Sequence, residues 1–130
     1  MKDRVILLKI TDYLKRVRGI YETIKDLDEA SLLRLNDSYA LTQFLTNIHS
    51  LSQNLSNEDI AADLIRAGFK NLNTCRNISA HDYDSLNWSL VKGLCRRLIS
   101  EDTAKVINEC IKLAEADEER QKKYGDNKIL

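Results

Sequence analysis

The sequence contains no proline and only four glycines among its 130 residues. Because these are the residues that most often interrupt helices, little except capping residues and short polar joints can end one. The three cysteines, Cys75, Cys95 and Cys110, are odd in number, widely spaced and lack a CxxC pair. The composition therefore predicts an all-α fold, and it argues against a disulfide framework or a zinc cluster.

The chain also has no excess of positive or negative charge, since 20 basic side chains balance 20 acidic ones. This balance excludes the globally basic surface on which unspecific phosphate attraction depends, so any anion site has to be local. The segment from Arg66 to Arg97 is the locally positive part. Its charged residues are Arg66, Lys70, Arg76, Lys92, Arg96 and Arg97 against Asp82 and Asp84.

Signals for export or membrane insertion are absent as well. Three of the first four residues, Met-Lys-Asp-Arg, are charged, and no apolar block with a small-residue cleavage site follows them. Residues 38–57 lack Asp, Glu, Lys and Arg, but their many hydroxyl and amide side chains indicate an amphipathic helix rather than a membrane span. We therefore expect a reduced, cytoplasmic protein without a membrane contact.

Apolar residues recur at helical spacing along most of the chain, and a length of 130 residues suits one domain. The first stripe consists of Ile6, Ile10, Tyr13, Val17, Ile20, Ile24 and Leu27. A second helix, capped by Asn36 or Asp37, carries Leu41, Phe44, Ile48, Leu51 and Leu55. Its uncharged polar side, with Thr46, Ser50, Gln53 and Asn54, is a candidate dimer seam because uncharged groups cost less to desolvate.

Later helix boundaries are predicted from capping residues. Ser56 and Asp59 resemble a capping box that opens a third helix with Ile60, Leu64 and Ile65, and Gly68 could end it. Residues 71–80 favour another helix. Asn87 caps a helix with Leu90, Val91, Leu94 and Leu98, and Ser100 caps the last one. We expect residues 1–115 to form the domain and residues 116–130 to be a charged, frayed tail.

Residues 76–83, Arg-Asn-Ile-Ser-Ala-His-Asp-Tyr, combine a titratable imidazole, a permanent cation and a phenol. Arg76 and His81 together could move a proton beside a stabilised phosphate oxyanion. On one continuous helix, however, their side chains lie about 140° apart. Either the helix ends before His81, or a two-fold dimer brings a second copy of the motif alongside the first.

Other interpretations of these residues are open. Arg76 could pair with Asp82 or Asp84 in a surface turn, with His81 as a cation at a helix C-terminus. A Cys75–His81 nucleophile pair is disfavoured because the sequence shows no third orienting group. His49 is a further candidate base.

The string RNISAHDY, read as Arg, four residues, His, one residue and Tyr, resembles the signature of the HEPN superfamily, and especially the HepT-like toxins. Residues 86–91 and 47–56 are similar to that family's neighbouring helices. The resemblance implies an up-and-down bundle of four to six helices that dimerises. It also implies a toxin-type, metal-independent endoribonuclease that is neutralised by a minimal nucleotidyltransferase antitoxin.

The resemblance further implies site roles. Arg76 and His81 would be catalytic, and Asn77 and Tyr83 would support them. Tyr83 would also accept AMP from the antitoxin. RNA is the implied substrate, and neither a metal ion nor another cofactor is expected.

The chain departs from the family pattern at two places. Ser50 stands where relatives often carry a glutamate, and Asp84 and Ser85 follow the tyrosine in place of an aromatic residue and a glycine. The resemblance therefore does not extend to a carboxylate at position 50 or to the two residues after Tyr83. The alternatives to an enzyme are a non-catalytic HEPN module that binds a nucleotide or docks a partner, and a plain helical interaction protein.

Overall fold

The structure, a computed structural model, describes residues 2–32, 36–72 and 87–129, and the side chains of these residues except Glu29 and 124–129. Within these ranges all regular structure is helical, which confirms the predicted all-α class. The elements are α1 (Asp3–Ile24), α2 (Glu29–Leu32), α3 (Asn36–Ser52), α4 (Glu58–Arg66), a 3₁₀ turn (Phe69–Leu72), α5 (Trp88–Leu98) and α6 (Glu101–Ile129).

Helix α1 is the centre of the bundle, because it packs along α3 and also contacts α5 and α6. Its predicted apolar stripe is confirmed, since Ile6, Ile10, Val17 and Ile24 are fully buried. Burying each such side chain contributes about 2 kcal/mol. The same core receives Leu41, Leu45 and Ile48 from α3, Ile60 and Leu64 from α4, and Ile107, Cys110 and Ala114 from α6.

Two predicted caps are confirmed by hydrogen bonds within a few residues of each helix start. The side chain of Asn87 accepts a hydrogen bond from the Leu90 amide at the start of α5. The Ser100 hydroxyl accepts one from the Thr103 amide, 3.3 Å away, at the start of α6. Gly68, with φ of +117°, follows α4 as expected.

The predicted cap of α4 is wrong, because Asn57 rather than Ser56 occupies that position. The Asn57 side chain accepts from the amides of Asp59 and Ile60, and its own amide nitrogen donates to Asp117 at 2.8 Å. Ser56 instead donates its hydroxyl and its backbone amide to Asp3, each at 2.9 Å. A partner 53 residues away thus overrides the local capping pattern.

Asp3 fastens the first turn of α1 to the start of α4. Its carboxylate accepts three hydrogen bonds of 2.9 Å, two from Ser56 and one from the Asn57 amide. Partial burial raises the pKa of this carboxyl, but the donors outweigh that effect and hold the pKa below its ordinary value of 3.8. Its stabilising contribution is therefore complete above pH 3.8 and disappears as the pH falls through the lowered pKa.

Replacing Asp3 by Asn should lower the free energy of unfolding at neutral pH by about 1–2 kcal/mol, since a charged acceptor of three donors is lost. The difference from the wild-type protein should shrink in acid, where the wild-type carboxyl is protonated too. Urea unfolding at several pH values measures both effects. Asp12→Asn is the control, because Asp12 is exposed on α1 and has no bonding partner among the described residues. An equal loss in both variants at every pH would contradict this role of Asp3.

Two apolar residues of the predicted helices are exposed. Leu90 is 62% exposed on α5 and Ile65 is 52% exposed on α4. The buried positions of α5 are Trp88, Val91, Cys95 and Leu98. Helical spacing identifies an apolar stripe, but the neighbouring helices determine which of its edges they cover.

Helix α6 continues well past residue 115, where the sequence predicts the ordered domain to end. Helical backbone extends to Ile129, and Glu118 pairs with Arg4 of α1 at 3.3 Å. A further ion pair, from Arg120 to Asp117, supports this part of α6. In the part of the chain that the structure describes, no helix is long and apolar enough to cross a membrane.

Candidate functional site

The four residues predicted to form the site, Arg76, Asn77, His81 and Tyr83, lie outside the described residues. The predicted helix over 71–80 falls mostly in the same gap, as do Cys75, Asp84 and Ser85. Their roles stay predictions. The structure does describe the elements to which the segment 73–86 is attached at each end.

At its N-terminal end the segment follows the 3₁₀ turn, which packs against α3, α4 and α5. Phe69 and Leu72 hold this turn in the core, at 2% and 0% exposure. Gly68 connects it to α4 with a positive φ, and a Cβ added there would lie 3.0 Å from the Arg97 Cδ atom. Both the backbone conformation and the space therefore favour glycine at this position.

At its C-terminal end the segment leads into α5. Asn87 caps the helix, and the next residue, Trp88, is buried at 3% exposure. Since the 3₁₀ turn and α5 contact one another, both attachment points lie on the same side of the bundle. The described residues near both ends of the segment 73–86, Leu72 and Trp88, are thus buried.

A cavity of about 420 Å³ lies next to these attachment points. Asn71, from the 3₁₀ turn, forms one wall, and Leu90, Gly93, Leu94 and Arg97 of α5 form the other. Its volume is within the range of small-ligand sites. Asn71 and Gly93 could not be predicted from the sequence as lining residues, because their positions depend on how the turn meets α5.

The positive character expected between Arg66 and Arg97 is partly used in internal contacts. Arg66 pairs with Asp63, and Arg97 donates to the Arg66 carbonyl at 2.5 Å. Lys92 donates to the Leu27 carbonyl at 2.6 Å. Two further cations of this segment, Lys70 and Arg96, are exposed and have no bonding partner among the described residues. The local charge that could attract an anion is therefore smaller than the sequence count suggests.

His49 and Ser50 point to different environments although they are neighbours on α3. His49 is 6% exposed and lies on the buried side of the helix, together with the fully buried Ser38 and with Thr42. Ser50 is exposed, and its carbonyl accepts a hydrogen bond from the Asn54 side chain at 3.2 Å. Ser50 thus lies on the outer surface of α3.

Neither described cysteine is placed for nucleophilic chemistry. Cys95 is fully buried, and burial, together with Asp63 and Glu109, raises the pKa of the Cys110 thiol to about 11. A thiol with such a pKa carries almost no thiolate at neutral pH. Across residues 2–32, 36–72 and 87–129 there is no cluster of three or more His, Cys, Asp or Glu that could hold a metal ion.

Comparison of the chain with protein-family models, with curated proteins and with solved structures finds no match.

Proposed function

We propose that this chain is a toxin-type, metal-independent endoribonuclease that resembles HEPN proteins and acts as a homodimer in the cytoplasm. The observation that carries the proposal is the string from Arg76 to Tyr83 within an all-helical chain. The buried anchors at Leu72 and Trp88 add support, because they fix both ends of the segment that contains the string.

The proposed reaction is an attack of the ribose 2′-hydroxyl on the neighbouring phosphorus. A bond forms between the 2′-oxygen and phosphorus, and the bond from phosphorus to the 5′-oxygen breaks. His81 takes the proton of the 2′-hydroxyl and, as the imidazolium so formed, gives a proton to the leaving 5′-oxygen. The products are a 2′,3′-cyclic phosphate and a free 5′-hydroxyl.

Arg76 is assigned to the charge that develops on the phosphate. A guanidinium holds two oxygens at once and stays charged at every physiological pH, so it stabilises a pentavalent intermediate better than the ground state. Asn77 would orient the phosphate or the imidazole, and Tyr83 would donate a hydrogen bond within the cleft. The dimer would bring two copies of each group together, which resolves the angle of about 140° between Arg76 and His81 on one helix.

The test is incubation of the purified chain with single-stranded RNA in the presence of EDTA. We expect fragments that end in a cyclic phosphate or in its hydrolysed product. DNA of the same sequence should stay intact, because it lacks the 2′-hydroxyl. RNA binding without any cleavage would instead support the non-catalytic module, and neither binding nor cleavage would support a helical interaction protein.

The proposed partner is a minimal nucleotidyltransferase that silences the nuclease by attaching AMP to Tyr83. An adenylyl group adds bulk and a negative charge, so it would block the cleft and repel the RNA phosphate. After co-expression with such an enzyme, peptide mass analysis should find AMP on Tyr83, and Tyr83→Phe should stay unmodified. AMP attached only to another residue would contradict this assignment.

A further inference from the structure

The outer side of α3 carries few charged residues, unlike the exposed sides of the long helices α1 and α6. Five exposed residues, Tyr39, Gln43, Asn47, Ser50 and Asn54, fall within about 80° of one another on or just after α3. We refer to these five residues as the uncharged face. The exposed residues of α1 include Lys9, Asp12, Lys15, Arg16, Arg18 and Glu22, and those of α6 include Glu101, Asp102, Lys105, Glu109 and Lys112.

Five neighbouring exposed residues without a charge are unusual in a chain in which 31% of the residues are charged. A purely solvated face gains nothing from excluding Lys and Glu, whereas a face that becomes buried does. Removing an amide or a hydroxyl from water costs far less than removing a charge, and interface centres are correspondingly poor in Lys, Glu and Asp. The composition of the uncharged face is therefore that of a contact surface.

An aromatic cluster lies between α3 and α1, and one of its members, Phe44, follows Gln43 of the uncharged face in the sequence. The rings of Tyr13 and Phe44 have centroids 5.7 Å apart, and the Arg16 guanidinium carbon lies 5.8 Å and 5.7 Å from these two centroids. Tyr39, on the face itself, is 45% exposed. Tyrosine and arginine are the residues most often found at the energetic centres of protein interfaces.

We propose that the uncharged face is the seam on which a second copy of this chain docks. In a two-fold interface the same surface faces itself, so like charges would repel. Asn, Gln, Ser and Tyr each carry a donor and an acceptor and can pair with their own copies. An RNA partner fits less well, because the five residues offer no cation to a phosphate.

The size of the uncharged face determines how tightly we expect the dimer to associate. A helix of 17 residues is about 25 Å long. A single helix of this length packed against its own copy would form a contact near the small end of specific interfaces. The dimer should therefore dissociate on dilution.

The inference rests on the proposed function, which requires a homodimer, and it names the surface that forms it. Gln43 is the residue to change, because it lies near the middle of α3 and so near the two-fold axis of an antiparallel pair. Gln43→Lys and Gln43→Glu should each weaken dimerisation about tenfold or more through like-charge repulsion. An equimolar mixture of the two variants should restore the dimer.

The measurement is sedimentation velocity of the full chain over a wide range of concentrations. Gln121→Lys and Gln121→Glu are the matched controls, since Gln121 is an exposed glutamine on α6 and should not affect the mass. Circular dichroism and thermal melting establish that the variants fold. The proposal is overturned by a wild-type chain that is monomeric throughout, by Gln43 variants that dimerise like it, or by a mixture that stays monomeric. Gln43 variants that lose RNA binding at unchanged mass would assign the face to RNA and overturn it as well.

Failure of this inference is distinguishable from failure of the proposed function. A dimer that depends on Gln43 but cuts no RNA would retain the seam and refute the nuclease. An active nuclease whose dimer is insensitive to both Gln43 variants would retain the nuclease and refute the seam.

Discussion

The His81→Ala variant should lose RNA cleavage almost completely, by about 10²–10⁴-fold, because no other group in the proposed site can take the 2′-hydroxyl proton. Arg76→Ala should cost about 10²–10³-fold, since it removes the main stabiliser of the phosphate charge in the transition state. Rates are measured with a fluorescent RNA under single-turnover conditions. Circular dichroism and sedimentation should show unchanged helicity and dimer mass for both variants.

Arg96→Ala is the matched control for Arg76. Arg96 is an exposed arginine on α5 without a bonding partner among the described residues, so its loss should reduce RNA affinity slightly and leave the cleavage step unchanged. Equal losses from Arg76→Ala and Arg96→Ala would mean that Arg76 acts only as one more surface cation. Full activity in His81→Ala would remove His81 from the mechanism.

Features set by neighbouring residues could be predicted from the sequence. The absence of proline and the apolar spacing of α1 predict helices, and the structure confirms them. The caps at Asn87 and Ser100 are also confirmed, because each is formed by a side chain and an amide three residues later. Local patterns of this kind need no knowledge of the rest of the fold.

Features that depend on distant contacts could not be predicted in this way. Ser56 has the sequence of a cap, but it donates to Asp3 in the first turn of α1, and Asn57 caps α4 instead. Leu90 has the helical spacing of an apolar stripe, but it is 62% exposed on α5. Likewise, the sequence gives the cations around the motif but not the carbonyl groups that Arg97 and Lys92 bind.

The sequence and the structure contribute different parts of the candidate site. Its residue types come from the sequence alone, since Arg76, His81 and Tyr83 lie outside the described residues. The structure adds the framework: buried anchors at both ends of the segment and a cavity of about 420 Å³ beside them. It also places Ser50 on the outside of α3, so an acid at this position would face away from the helix bundle.

The central claim is that the catalytic guanidinium and imidazole come from different subunits. Mixing the inactive Arg76→Ala and His81→Ala proteins tests it most directly. In a mixed dimer one subunit retains His81 and the other retains Arg76, so one complete site can form across the interface. Subunit exchange is rapid if the dimer dissociates on dilution, and mixing then produces about half mixed dimers by random pairing.

The measurement is the RNA cleavage rate of the equimolar mixture, compared with that of each variant alone at the same total concentration. We expect the mixture to recover a substantial part of wild-type activity while each separate variant remains inactive. A mixture that exchanges subunits and yet stays as inactive as its components would contradict the shared site.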